Sequence, residues 1–251
     1  MEWKQIGAPS QLQVVCKLIT KGILIAQLMN EFFIEKVRKI RDGIQNVAAN
    51  LTVCSRIMTS KNCRLSLKHV SVEKVRKLLK NLKNTKSSGV VELGNFCVKI
   101  SANIIAQPLH HIITLSILEN KFPTSWKYAK VVPLHKKGCS LERINYRLVA
   151  ILSPLGKVLE KIVYEQLYSY FTSNKLFHPN LHGYRQNRST QTALLQMYDT
   201  WVEALANGEV SAVIMLDMSA AFDMVNHRIL LSKMILYGFQ ERSTTWLGSY
   251  L

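Results

Sequence analysis

The sequence predicts an α+β fold that is mostly helical, and three observations support this class. Several stretches place apolar residues at helical spacing. Residues 129–152 contain two β-prone runs on either side of a polar, basic tip, which is typical of a β-hairpin. Residues 210–216, "VSAVIML", are apolar on both faces, as in a strand that is covered on both sides.

The helices are predicted from their apolar spacing and from the signals at their ends. The first helix is predicted from Ile25 onward. The second is predicted directly after Ser71, whose hydroxyl can cap it. A third helical region, residues 93–119, contains Pro108, which removes a backbone donor and predicts an interruption there. Capping and stop signals predict three further helices, over residues 153–171, 189–206 and 227–237, and either Ser189 or Thr190 is expected to cap the second of these.

These elements suggest three parts of the chain. Residues 1–24 carry mixed signals and are interpreted as linker-like, residues 25–128 form a helical region, and residues 129–251 contain the hairpin, the later helices and the strand. Only one central strand appears before Leu251, although a stable sheet needs several strands. We therefore expect the sequence to be truncated.

Charge and cysteine content narrow the function classes. The 251 residues carry a formal net charge of +17, which favours a polyanionic partner, with nucleic acid ahead of a membrane surface. A merely soluble basic protein remains the alternative. Five scattered cysteines without a Cys-x-x-Cys pair indicate neither a zinc site nor a disulfide framework. The chain shows no signal peptide and no apolar run of membrane-spanning length, so we expect an intracellular protein of nucleus or cytoplasm.

The stretch "IMLDMSAAFDMVNH", residues 214–227, is the most informative local pattern. An apolar run leads directly into Asp217, so this carboxylate is either a metal ligand at the end of a strand or the cap of the following turn. Asp223 is expected to cap the next helix.

Several blocks resemble a known family when they are read together. "INYRLVAILSPLGKVLEKIVYEQLYSYF", "LHGYRQNRSTQTALLQMYD" and "IMLDMSAAFDMVNHRILLSK" look like consecutive blocks of the reverse transcriptase of non-long-terminal-repeat retrotransposons, close to the jockey-like group. The likeness extends upstream through "LKNTKSSG" and "PLHHIITLSILENKFPTSWKYAKVVPLHKKG", and loosely to "LMNEFFIEKVRKIR", so it covers roughly residues 25–251. It implies a right-hand polymerase, with fingers and an incomplete palm, that uses an RNA template, a DNA primer, deoxynucleotides and Mg²⁺.

The resemblance also assigns roles at the first palm strand. Asp217 matches the aspartate that binds two magnesium ions, and the main-chain carbonyl of Met218 matches a further ligand. Phe222 matches the aromatic residue beside the sugar of the incoming nucleotide, where a ring would clash with a 2′-hydroxyl. The alternative for Phe222 is an ordinary core phenylalanine.

Four cations are candidate contacts to phosphate. Lys136 and Arg147 lie on opposite sides of the hairpin tip, and a folded hairpin would direct both toward one triphosphate. Arg185 and Arg188 lie in a loop before a helix N-terminus, where they would bind nucleic acid. The alternative for all four is a solvated loop position.

Some residues depart from the family pattern. Leu148 stands where proline is usual, Val91 where aspartate is usual, and Asn226 where aspartate is frequent. The Asp-Asp turn that supplies the other metal carboxylates is not found in the sequence. We therefore expect an RNA-directed DNA polymerase segment that is inactive alone. The alternatives are a non-enzymatic remnant that still binds nucleic acid and a fragment that does not fold stably. The sequence does not predict the oligomeric state.

Overall fold

The computed structural model describes residues 8–14, 17–43, 63–84, 89–90, 94–218 and 220–251. In these residues the helices are α1 (Gly22–Gly43), α2 (Val72–Lys80), α3 (Asn95–Ile100), α4 (Ala102–Leu118), α5 (Pro154–Ser173), α6 (Thr190–Ala206), α7 (His227–Leu236) and α8 (Glu241–Tyr250). The strands are β1 (Leu12–Val14), β2 (Lys17–Ile19), β3 (Lys130–His135) and β4 (Tyr146–Ile151). They form two antiparallel pairs, β1 with β2 and β3 with β4, so the predicted α+β class is confirmed.

The chain divides into two compact units. The first unit comprises residues 1–166 and 222–251, and the second unit comprises residues 167–221. Every helix in the described ranges is too short or too polar to cross a bilayer. Val91 lies outside the described residues, as do residues 1–7 and 15–16 of the predicted linker.

The described part of the N-terminus is structured where the sequence suggested a linker. β1 and β2 pair over Leu12 and Ile19, and α1 begins three residues after β2. Leu12 is fully buried and packs with Ile25, Met29 and Tyr146 in one cluster of the first unit. This short hairpin folds because its apolar side chains gain contacts with residues more than 100 positions away, which local sequence patterns do not report.

α2 and α4 form the centre of a second cluster in the first unit. Ser71 caps α2 as predicted, since its hydroxyl accepts a hydrogen bond from the Lys74 amide. The interruption predicted at Pro108 is wrong, because α4 runs through it and the break lies at Ser101. A proline inside a helix costs roughly 3 kcal/mol. Here several buried apolar side chains of α4, each contributing about 1.5–3 kcal/mol when large, offset that cost: Ala106, Leu109, Ile113 and Ile117.

An extended segment, residues 63–70, joins the upstream part of the first unit to its C-terminal helices. The Leu65 amide donates to the Gly238 carbonyl at 2.9 Å, and its carbonyl accepts from the Gln240 amide at 3.0 Å. The Ser243 hydroxyl accepts from the Leu67 amide at 3.0 Å. The segment is therefore bound to the start of α8 through hydrogen bonds at a sequence separation of more than 170 residues.

The C-terminal helix α8, which the sequence pattern did not predict, carries the largest fully buried side chain among the described residues of the first unit. Trp246 is 1% exposed, and its indole N–H donates to the Ser116 hydroxyl at 3.0 Å. The Phe122 ring contacts Trp246 edge-on, and Tyr250 stacks on Trp246. The serine- and threonine-rich sequence of α8 has weak helix propensity, so tertiary packing outweighs local preference.

The second unit differs in its packing. None of its described residues is buried, and α6 has no buried side chain. The strand predicted over residues 210–216 is not formed: residues 209–218 have no regular structure and are exposed. A strand needs a hydrogen-bonding partner, and the ladders among the described residues join only β1 with β2 and β3 with β4.

Candidate nucleotide and nucleic-acid site

The hairpin of β3 and β4 places two predicted phosphate contacts on one face. The strands pair from Lys130 opposite Ile151 to His135 opposite Tyr146, so Arg147 lies opposite Leu134. The Lys136 amide donates to the Asn145 carbonyl at 2.7 Å and extends this ladder by one residue. Because side chains alternate along a strand, Lys136 shares the face of Leu134 and Arg147. Such diagonal neighbours lie about 7–8 Å apart, and both cations are exposed.

Side chains of the hairpin itself order its tip. The Asn145 amide group donates to the Cys139 carbonyl at 2.9 Å, and the Tyr146 hydroxyl donates to the Ser140 carbonyl at 2.6 Å. Burial raises the pKa of Tyr146, and the nearby Cys139 adds to this effect, so the hydroxyl keeps its proton and remains a donor. Gly138 has φ +77°, and a Cβ there would meet the Asn145 amide nitrogen at 2.8 Å. The tip conformation therefore depends on glycine.

The N-terminal elements support the same tip. The Gln13 amide of β1 donates to the Leu141 carbonyl at 2.9 Å. The Arg143 guanidinium lies over the Phe32 ring of α1, 5.1 Å from its centroid. Sequence patterns did not predict these contacts. The apolar face of α1 was a signal that something covers it, but its partner could not be identified from spacing.

Asp217 and Met218 lie in the second unit, in the stretch that does not form a strand. Both are exposed, and Met218 is 78% exposed. No cluster of three or more His, Cys, Asp or Glu side chains suited to a metal ion occurs among the residues that the structure describes. The alternative, in which Asp217 caps the following turn, involves residue 219, which lies outside the described residues.

Phe222 begins the part of the first unit that follows the second unit. It is 75% exposed, so its interpretation as an ordinary core phenylalanine is wrong. The expectation that Asp223 caps the next helix is also wrong, because Asn226 is the N-cap of α7 and accepts from the Ile229 amide at 3.2 Å. Asparagine and aspartate cap helices about equally well, so the departure at Asn226 preserves the cap.

Arg185 and Arg188 lie in the loop before α6, in the second unit. The Arg185 guanidinium donates to the His178 and Leu181 carbonyls at 3.2 and 3.4 Å, and it lies over the Phe177 ring. Arg185 therefore orders this loop. Arg188 is exposed and directly precedes Ser189, which caps α6 and is one of the two caps predicted for it.

A histidine outside the predicted site residues also holds this loop. One ring nitrogen of His182 lies 2.9 Å from the Thr192 hydroxyl, and the other lies 2.9 Å from the Gln196 side-chain oxygen. Both partners belong to α6, and Thr192 is also part of the Ser189 capping box. The loop with the two arginines is therefore fixed to the N-terminal part of α6.

The predicted site residues are divided between the two units. Lys136, Arg147 and Phe222 belong to the first unit. The others belong to the second unit: Arg185, Arg188, Asp217 and Met218. The structure brings together Lys136 with Arg147 on the hairpin, and Arg185 with Arg188 in the loop, where the Arg188 amide donates to the Arg185 carbonyl at 3.4 Å. Their roles in binding stay predictions.

Comparison with known proteins identifies the relatives of this chain. The family described as "Reverse transcriptase (RNA-dependent DNA polymerase)" matches residues 134–251. The "Probable RNA-directed DNA polymerase from transposon BS" of Drosophila melanogaster is 30% identical over 176 residues, which covers 67% of this chain and 19% of the relative. The "RNA-directed DNA polymerase from mobile element jockey" of the same species is 29% identical over 170 residues, which covers 67% and 19%.

A more distant match is the "Transposon TX1 uncharacterized 149 kDa protein" of Xenopus laevis, 24% identical over 178 residues, with 71% of this chain and 14% of the relative covered. The chain thus spans about a fifth of the length of the Drosophila relatives. Together these matches show that the chain belongs to the reverse transcriptase family, among those of non-long-terminal-repeat retrotransposons.

Proposed function

We propose that this chain forms the fingers and part of the palm of an RNA-directed DNA polymerase, which copies an RNA template from a DNA primer with deoxynucleotides. The match of residues 134–251 to the reverse transcriptase family carries this proposal. In it, residues 25–128 lead into the fingers, and residues 129–251 contain the fingers and the partial palm. The proposed setting is intracellular, in nucleus or cytoplasm.

The hairpin would bind the triphosphate of the incoming nucleotide. Arg147 offers a planar fork of donors and Lys136 a compact charge, and the strand register supports their action on one ligand. The exposed ring of Phe222 would exclude a ribose 2′-hydroxyl by its shape. Arg185 and Arg188 would contact the nucleic-acid backbone, with Arg185 limited by its hydrogen bonds within the loop.

The Asp217 carboxylate and the Met218 carbonyl would hold magnesium. Both offer hard oxygen ligands in an exposed stretch, and this donor set fits one ion shared with substrate phosphates. When bound, the ion neutralises charge on the reacting phosphate. One carboxylate does not fit the pair of ions that steadies both oxygens of the displacement. Without the second ion the transition state loses stabilisation, and each 1.36 kcal/mol lost lowers the rate about tenfold. We therefore propose that residues 1–251 alone do not extend a primer.

A chimeric polymerase tests the proposed roles. Residues 134–251 would replace the matching segment of the Drosophila melanogaster jockey polymerase, and primer extension would be measured on poly(rA)/oligo(dT) with magnesium. We expect the chimera to extend the primer, Asp217→Ala to abolish extension, and the matched control Asp223→Ala to retain it. An inactive chimera, or one that tolerates Asp217→Ala, would contradict the proposal.

The isolated 251-residue chain is assayed in parallel. We expect no extension above the level without enzyme. Extension by this chain that is lost on Asp217→Ala would show that one carboxylate suffices and that the ligand count is wrong.

A further inference from the structure

A basic groove lies in the first unit, away from the hairpin and the loop arginines in sequence. It has a volume of about 420 Å³ and lies between the C-terminal end of α2, the start of α3 and the N-terminal half of α5. Its cations are Lys83, Lys157 and Lys161, and its apolar floor includes Leu82 and Val158. None of the described residues that line it is acidic.

The walls of the groove are held by buried contacts. Asn95, at the start of α3, is 8% exposed, and its side-chain amide donates to the Lys83 carbonyl at 3.0 Å. Leu79 of α2 and Val158 of α5 are at most 2% exposed, so both helices are anchored beneath the groove. The position of Lys83 opposite α5 is therefore fixed by this hydrogen bond and by the packing of the two helices.

The three lysines lie on two walls of the groove, where they can contact successive anionic groups of one ligand. Lys157 and Lys161 are one helical turn apart on α5, where side chains at this spacing are neighbours on the helix surface. Lys83 faces the groove from the segment after α2. Glu165 lies near Lys161, with 3.9 Å between the charged atoms, but it pairs more closely with Lys74 at 2.6 Å. The net charge of the groove lining is positive.

We propose that this groove binds the phosphate backbone of a single-stranded nucleic acid, an assignment that rests on the proposed function and adds a contact surface to it. The lysines neutralise successive phosphates, and the apolar floor accepts the sugar or base between them. The groove is a concave site of about 420 Å³ with cations on two walls, which suits one strand better than the convex surface of a duplex.

The first test is acetylation footprinting of the whole 251-residue chain, read by mass spectrometry. An oligo(rU) strand is expected to protect Lys83, Lys157 and Lys161, while the exposed Lys121, Lys127 and Lys130 serve as unprotected references. Free UTP is expected to give no protection. Protection by UTP alone would assign the groove to a mononucleotide and overturn the proposal, as would equal reactivity of all six lysines with and without the strand.

The second test compares two variants of equal charge by fluorescence anisotropy with labelled oligo(rU) at several salt concentrations. Lys83→Gln, Lys157→Gln and Lys161→Gln combined should weaken binding at low salt by more than about tenfold and reduce the log–log salt slope by about 2, at about 0.7 per phosphate contact on single strands. The combined control Lys121→Gln, Lys127→Gln and Lys130→Gln should change both quantities much less.

The outcomes separate the groove from the proposed function. Salt-dependent binding that the two triple variants weaken equally would overturn the groove and leave nucleic-acid binding by the chain intact. No binding of oligo(rU) by the unmodified chain at low salt would overturn both the groove and the nucleic-acid contacts of the proposed function.

Discussion

The hairpin of β3 and β4 and the stretch that carries Asp217 have similar compositions but different structures. β3 and β4 are rich in valine, leucine and isoleucine, and so are residues 210–216. The hairpin strands form a six-residue antiparallel ladder, whereas Ile214 and Leu216 are 84% and 89% exposed in a stretch without regular structure. The partner of β3 begins eleven residues after β3 ends, but the Asp217 stretch has no ladder partner among the described residues. Strand propensity therefore becomes a strand only where a partner is available.

The same contrast extends to the two units. The first unit buries large apolar side chains from helices of both its segments, 1–166 and 222–251, including Leu79, Ile113 and Trp246. In the described part of the second unit no side chain is buried, and its order rests on hydrogen bonds such as those of His182 and Arg185. Hydrophobic burial is the dominant stabilising term in folding, so we expect stability to be concentrated in the first unit.

The largest expected effect is on the free energy of unfolding, when a large side chain is truncated to alanine in each of the two units. Trp246→Ala should lower the free energy of unfolding by about 3–5 kcal/mol, because it removes a buried ring and leaves a cavity. Leu216→Ala, in the Asp217 stretch, should change it by less than about 0.5 kcal/mol. Urea denaturation followed by circular dichroism measures both. Comparable losses for the two variants would show that the Asp217 stretch is packed in solution.

A smaller effect compares two glycines with similar backbone angles. Gly138 at the hairpin tip has φ +77° and Gly208 after α6 has φ +72°. A Cβ meets Asn145 at 2.8 Å at Gly138 and meets nothing within 4 Å at Gly208. Both alanine variants incur the left-handed penalty of about 1–2 kcal/mol, and Gly138→Ala should cost more because Asn145 must also shift. Equal costs in denaturant titrations would mean that the hairpin tip is not held by Asn145.

The smallest expected effect is a pH dependence of stability that arises from Tyr250 and Glu160 in the first unit. Burial, together with the neighbouring Glu160 carboxylate, raises the pKa of Tyr250 to about 12 from 10.0. Because the folded state holds this proton more tightly, the associated stability is complete below pH 10 and is lost as the pH rises toward 12. Burial also raises the pKa of Glu160 above its ordinary value of 4.5. The contribution of Glu160 to the free energy of unfolding therefore falls as the pH rises above 4.5.

Thermal melts between pH 9 and 12 test this expectation. Tyr250→Phe should flatten the decline in melting temperature relative to the unmodified chain, and Tyr198→Phe, an exposed position on α6, should leave the decline unchanged. An identical decline in all three proteins would contradict a protonated Tyr250 whose hydroxyl donates to the Glu160 carboxylate at 3.2 Å.

Several helices were predictable because their boundaries depend on local chemistry. Ser71 and Ser189 cap their helices through their own hydroxyls, and Pro154 begins α5, as the sequence indicated. The errors arise where distant contacts decide. Pro108 is tolerated by burial of its helix, and α8 forms because Trp246 packs beneath it. The hairpin of β1 and β2 likewise needs α1 and Tyr146.

The candidate site divides in the same way. The face shared by Lys136 and Arg147 follows from strand alternation and was predictable once the hairpin register was known. The roles of Asp217 and Phe222 came from the resemblance, and local structure does not supply them. The groove lysines were not predictable, because Lys83 and Lys157 are 74 positions apart in the sequence and meet only through the packing of α2 on its neighbours.

Hydrogen–deuterium exchange of the 251-residue chain tests the central contrast most directly. Amides of β3 and β4 that take part in the ladder should exchange slowly, and amides of residues 210–216 should exchange at the rate of an unstructured peptide. This result would confirm that Asp217 follows a stretch without a strand partner. Protection of residues 210–216 equal to that of the hairpin would contradict the account, because it would require a strand partner that the described residues do not provide.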